Sequence, residues 1–323
     1  MSDPASGSRP ALWIITAALF FAIMGAITHS LGTRCDWLTI ALVRAVFMFG
    51  TSVAVAVAVG TELVVWRPRT LWIRSLAGSF SLVCSFYALS RLPLGDVLTL
   101  TNTYPLWIVM LSWLSMRRRP GAGDAMRVAC GLAGVALIEQ PHLSGDQFAA
   151  AVALASSVFA AVAMIGLHRL RGVDTRAVVA HFAAVASLVA GAWLAARVGG
   201  LVDRGPGLSL GQGQTTTPPY WPGFDPYSLA LLFGVGVTGT VGQIFLTKAY
   251  AAGPPARVAV LGLTQVVFAM GLDVVLWHRV LSPASLAGTA LVVAPTAWLL
   301  ARSGGRAPAP SPPAAGPVAL DQP

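Results

Sequence analysis

The sequence predicts an all-α membrane protein: ten transmembrane helices in two inverted five-helix repeats, with the N- and C-termini cytoplasmic. Three observations lead there. Of the 323 residues, 56% are apolar and only 10% charged, with a mean hydropathy of +0.73, a balance unlike that of soluble domains. Ten continuous apolar stretches are each long enough to cross about 30 Å of hydrocarbon at a rise of about 1.5 Å per residue. Finally, ALSRLPLGDVLTLTNTYPL, residues 88–106, has an echo 161 positions later, AYAAGPPARVAVLGLTQVV.

In chain order the stretches are 11–30, 36–59, 71–90, 95–116, 123–140, 147–169, 175–198, 226–251, 254–278 and 282–302. Unbroken Ala, Leu and Val runs favour helices over barrel strands, which alternate lipid-facing and lumen-facing residues over about ten positions. The first stretch follows Arg9 as a signal peptide would, but its core is long and no clear small-x-small cleavage site follows, so it is read as a span. Residues 1–10 form a cytoplasmic segment. A first repeat covers 11–140, and a second covers 147–302 and includes a Gly/Pro/Thr-rich outer loop at 199–225. A Pro/Ala-rich tail at 303–323 remains inside. Loop and tail lack the periodic apolar residues of a core and read as disordered.

Charge sets the orientation. With the N-terminus inside, fifteen basic residues, including Arg67, Arg69, Arg74, Arg117, Arg118, Arg119 and Lys248, fall on the cytoplasmic side. Five lie outside, and Arg44 is left within a span. This is the asymmetry of the positive-inside rule. The formal net charge of +9 therefore records topology, with Arg117–Arg119 as a helix-end anchor, and no nucleic-acid partner is expected. Cys35, Cys84 and Cys130 form no paired framework and read as small packing residues. Twenty arginines to one lysine, with abundant alanine, suggest a bacterial chain in the cytoplasmic membrane.

Within the echo, identities fall at Ala88/Ala249, Pro93/Pro254, Val97/Val258, Leu100/Leu261 and Thr103/Thr264. Five spans per half turn the second half upside down relative to the first. Asp96 and Arg257 then occupy equivalent positions on opposite sides, the charge swap expected of the positive-inside rule.

The segment FYALSRLPLGDVLTLTNTYPLWIVML resembles the third and fourth helices of EamA-type members of the drug/metabolite transporter superfamily. Arg44 in LVRAVF, Arg74, Gly131 and Gly134 in GLAGVALIEQP, and the segments TQVVFAMGL and LSPASLAGTALVV extend the resemblance over about residues 11–302. It implies a central cavity and movement of a small polar or aromatic metabolite by alternating access, as uptake or efflux. Riboflavin and S-adenosylmethionine uptake carriers are the branch it looks most like. Many relatives end the fourth and ninth helices with Gly-Glu, where this chain has Arg117-Arg118 and His278-Arg279, so no gating role of those acids carries over.

Polar residues near mid-membrane are the candidate site, because they are costly there unless they serve packing or a ligand. Asn102 and Tyr104 lie about 10 and 14 Å into the fourth span and Gln265 about 16 Å into the ninth. The stripes Thr99/Asn102/Thr103 and Thr264/Gln265 are expected to face each other and hydrogen-bond a substrate. Tyr104 and Trp107 can stack on a planar ligand, and Gln243 joins from the stripe Thr240/Gln243/Thr247. Arg44, about 12 Å past Asp36 and the only basic residue deep in a span, is expected to attract an anionic substrate or a gate carboxylate. Each polar residue could equally bind helices together or, for Arg44, snorkel to backbone carbonyls. Glu139, Asp273, His29 and His181 are the titratable candidates for coupling or gating.

The GVGVTG run matches the dinucleotide spacing by accident, because no strand precedes it; its small residues suit close helix packing. Neither HExxH nor an Asp-rich metal motif is present, so an intramembrane enzyme is the lesser alternative, and a channel-like permease the other. No cofactor or metal is expected. The expected partners are a small-molecule metabolite and the lipid bilayer, with the chain a monomer or homodimer.

Overall fold

In the computed structural model, the described residues are 9–31, 34–35, 37–63, 66, 68–89, 91–92, 94–116, 122–140, 146–198, 225–278 and 280–303. The Arg117–Arg119 anchor, almost all of the outer loop and the tail, and most of the N-terminal segment lie outside them. Twelve α-helices and no strand occur among the described residues: α1 (Arg9–Leu31), α2 (Trp37–Val59), α3 (Arg69–Leu89), α4 (Leu94–Thr101), α5 (Tyr104–Met116), α6 (Ala122–Glu139), α7 (Gln147–Arg169), α8 (Thr175–Val198), α9 (Pro226–Ala252), α10 (Pro255–Gly262), α11 (Thr264–Trp277) and α12 (Pro283–Ser303).

Among the described residues, seven stretches are long and apolar enough to cross a bilayer: Arg9–Leu31, Leu38–Val59, Asp96–Leu114, Gln147–Arg169, Thr175–Ala196, Pro226–Ala252 and Pro255–Trp277. The outside of the bundle agrees with a lipid solvent. Leu114, Leu188, Phe233 and Val275 are each more than 60% exposed, an apolar surface that a soluble monomer avoids.

Local chemistry fixes the helix starts. Asp146 caps α7 by accepting from the Phe148 and Ala149 amides. Asp225 caps α9 by accepting from Ser228 N at 3.2 Å, with Pro226 following, as the missing N–H and fixed φ of proline allow. Hydrogen bonds from the Ser228 amide and hydroxyl, and less so the Arg34 charge 3.2 Å away, hold the Asp225 carboxyl below its ordinary value.

Two of the expected continuous spans are broken. The helix of 95–116 divides into α4 and α5 around Asn102-Thr103, and that of 254–278 divides into α10 and α11 at Leu263. Pro105 has no N–H to continue the first ladder, yet the second break has no proline. What both share is a threonine. The Thr103 hydroxyl donates to Leu100 O at 2.6 Å and the Thr264 hydroxyl to Leu261 O at 2.7 Å, each tightening the turn with a bond to the residue three before. The breaks, like the ends of α4 and α10, lie 161 residues apart.

α3 packs chiefly on α7, α1 on α9, α2 on α8 and α6 on α12. One core joins Ile14, Leu71, Ile108, Leu167 and Tyr250 across α1, α3, α5, α7 and α9. A second core, around Met48 and Phe182, joins α2 to α8. α6 and α12 cross at glycines: a β-carbon on Gly134 would lie 2.6 Å from the Gly288 carbonyl oxygen.

Arg74 corrects the charge census. Counted above with the cytoplasmic loops, it sits in the second turn of α3 with only 1% of its surface exposed and its guanidinium 3.8 Å above the Phe182 ring. Arg44 is therefore not the only basic residue drawn into the bundle. Arg74 fits because its own β-carbon lies 3.0 Å from where a side chain at Gly166 would begin.

Candidate functional site

Among the described residues, α9 buries four polar side chains, Ser228, Thr240, Gln243 and Thr247. Its row Thr240, Gln243 and Thr247 is buried, as an i, i+3, i+7 stripe on one face requires. Two of the three are internally satisfied: Thr240 donates to Gly236 O and Thr247 to Gln243 O. Gln243, 4% exposed, leaves its side-chain amide nitrogen without a partner.

Across from this row stands Arg44 of α2. A β-carbon on Gly239 would lie 2.7 Å from Arg44 Nε and 3.1 Å from Met24 Sδ, so the glycine makes the space that the guanidinium occupies. Arg44 Nε is also buried without a partner. An unmade hydrogen bond at a buried donor costs about 1–3 kcal/mol, more where the group is charged. Two such donors on facing helices therefore favour an acceptor between them.

Tyr104, at the start of α5, points its hydroxyl at Ala259 O of α10, 3.5 Å away, and lies against Gly262. Beside it is Tyr250 of α9, fully buried, with its hydroxyl lacking a hydrogen-bond partner of good geometry. Sequence reasoning missed Tyr250, which lies near the end of its apolar stretch where a tyrosine reads as an interface anchor. Trp107, one turn beyond Tyr104, packs on the same core and leaves its indole N–H buried without a partner.

The two facing stripes do not form. Asn102 turns its amide back to Leu98 O at 2.8 Å. Thr103 bonds Ser157 of α7 at 2.9 Å, Thr264 is buried on its own helix, and Gln265 is exposed.

The titratable candidates scatter. His29 meets the Trp277 ring edge-on at 4.7 Å. His181, 8% exposed, shares a 2.8 Å hydrogen bond with the Ser75 hydroxyl and stands edge-on to Trp72. Glu139 and Asp273 are half-buried near helix ends, and both have partners. These four are not gathered into one cluster, and among the described residues no group of three His, Cys, Asp or Glu side chains is placed to hold a metal.

Comparison with known proteins supplies the lineage. The EamA-like transporter family matches residues 8–140. A pseudopaline exporter of Pseudomonas aeruginosa is 29% identical over 229 residues, 69% of this chain and 72% of the exporter. Human solute carrier family 35 member G1 is 27% identical over 69% of this chain and 60% of its own length. A riboflavin transporter of Rhizobium johnstonii is 23% identical over 79% of each chain. A solved crystal structure shares the fold with a TM-score of 0.73 at 21% identity, covering 92% of this chain and 99% of the other. The chain is thus a multi-pass membrane protein whose residues 8–140 match the EamA-like transporter family and which is similar, over about 70% of its length, to proteins named as transporters.

Proposed function

We propose that this protein is a secondary carrier of ten spans in two inverted five-helix repeats, residues 11–140 and 147–302, with both termini cytoplasmic. It moves a small polar or aromatic metabolite by alternating access. The observation that carries this reading is the recurrence, 161 residues apart, of a broken helix with a threonine at the break. Discontinuous helices at equivalent places in two halves are where secondary carriers build their sites. Helix packing agrees: exchanging the halves turns the α1 with α9 contact into α7 with α3, and α2 with α9 into α8 with α3, and all four contacts are present.

In this reading α3, α6 and α12 complete the set of ten, and Arg44, Gln243, Tyr104 and Trp107 line the substrate path, with Tyr250 beside them. Asn102, Thr264 and Gln265 act at or near the breaks, and their contact with substrate belongs to another state of the cycle. Relatives named as an exporter and as a riboflavin transporter support a metabolite cargo without fixing its direction.

The test begins with a thermal-shift screen of flavins, nucleosides, amino acids and adenosyl compounds. Counterflow of the stabilising ligand in proteoliposomes follows. A carrier accumulates labelled ligand against unlabelled ligand inside; flux that only equilibrates points to a channel and contradicts the proposal.

A further inference from the structure

A cleft of about 240 Å³ opens between α2, α8 and α9 at the end of the bundle assigned to the cytoplasm. It is lined by Thr51, Ser52, Asp174, Arg176, Thr240 and Lys248, among others. It holds two cations and one carboxylate. Arg176 uses that carboxylate, lying 3.8 Å from Asp174 and 3.3 Å from the Thr61 hydroxyl. Lys248 is half-buried, with its ammonium 5.8 Å from the ring of Phe245 on its own helix. Among the described residues it has no carboxylate partner.

The wall of the cleft repeats the pattern. Ser52, 5% exposed, has a hydroxyl without a hydrogen-bond partner. Arg44 lies on the same face of α2, eight residues and about 12 Å deeper. On α9, Thr240 lines the cleft, and Gln243 lies between Thr240 and Lys248 on the stripe Thr240, Gln243 and Thr247. Besides the Lys248 ammonium, which has no carboxylate partner, three donors along this path are buried without a hydrogen-bond partner: the Ser52 hydroxyl, the Gln243 amide N–H and the Arg44 Nε–H. Donors and positive charge in a partly dried space call for an anion with several acceptor oxygens. A neutral ligand would leave the lysine and the arginine desolvated and unpaired.

We infer that this cleft is an anion site, taking the carboxylate or phosphate group of the transported metabolite between Lys248, Arg176 and Ser52 before Arg44 receives it deeper in the path. The inference rests on the carrier reading above and adds the class of substrate to it. Asp174 keeps the mouth from becoming so positive that the anion could not leave.

The full-length protein is to be titrated with succinate, inorganic phosphate and neutral succinamide at constant ionic strength. Thermal shift is read in a non-ionic detergent and in nanodiscs of phosphatidylcholine alone. Succinate or phosphate is expected to raise the melting temperature and succinamide is not. Lys248→Gln is expected to weaken the anion response at least tenfold without moving the ligand-free melting temperature, and Lys248→Arg to restore it. An equal response to succinamide, no response to either anion, or an unchanged response in Lys248→Gln overturns the inference. So does a Lys248-dependent shift produced only by phosphatidylglycerol in the nanodisc, which would assign the cleft to a lipid headgroup. Counterflow of a neutral metabolite by a protein that ignores both anions overturns the anion site and leaves the carrier standing. Anion binding dependent on Lys248, with no counterflow of any bound anion, supports the site and removes the carrier.

Discussion

Replacing Gly288 with alanine is expected to destabilise the protein by on the order of 1–3 kcal/mol, the range found when a packed interior is overfilled. The new β-carbon would lie 2.5 Å from the Gly134 carbonyl oxygen and 3.0 Å from the Ile138 amide nitrogen. Both atoms are backbone, so no side chain can swing aside. Gly134→Ala meets the Gly288 carbonyl at 2.6 Å and is expected to act alike. Gly271→Ala is the control: nothing lies within 4 Å of its β-carbon, and a helical glycine replaced by alanine is neutral or stabilising by about 0.5–1 kcal/mol. Thermal unfolding of the three variants in one detergent checks the order. Equal melting temperatures for Gly288→Ala and Gly271→Ala would show that α6 and α12 do not meet as described.

Arg44→Met is expected to separate stability from transport. The guanidinium Nε is buried without a partner, and a central arginine costs on the order of 3 kcal/mol on insertion scales. A residue present for packing would be missed when replaced. One present for a ligand would not, because methionine fills a similar volume without a charge to desolvate. The variant is expected to melt no lower than the parent and to transport at least tenfold more slowly at equal abundance. Transport at the parental rate, or a large drop in melting temperature, would return Arg44 to a structural role.

Helices were legible because hydropathy alone marks a segment that must bury its own backbone hydrogen bonds in lipid. The expected starts and ends of α7 and α8 coincide with those observed, and those of α1, α2 and α6 differ by at most two residues. The breaks were not legible in the same way. Pro105 could have signalled the first, but the second depends on one threonine hydroxyl choosing the carbonyl three residues back, and composition does not reveal that choice. Arg74 was misread for a related reason: near the end of an apolar run a cation looks like a loop residue. Its burial depends on Gly166 and Phe182 of α7 and α8, about a hundred residues away. Of the candidate site, Arg44 and Gln243 stand out in the sequence as polar groups at depth. Their opposition across Gly239, the burial of Tyr250 and the cleft at Lys248 depend on which helices meet.

The inversion of the two halves underlies the whole functional account, and labelling of paired cysteines tests it without knowing the substrate. Arg91 and Ala252 are both exposed and stand 161 residues apart, just before α4 and α10. In a chain with Cys35, Cys84 and Cys130 replaced by alanine, Arg91→Cys is expected to react with a membrane-impermeant maleimide in intact cells. Ala252→Cys is expected to react only after the membrane is opened. Reaction of both from the same side would contradict an inverted repeat and, with it, alternating access built on two opposed halves.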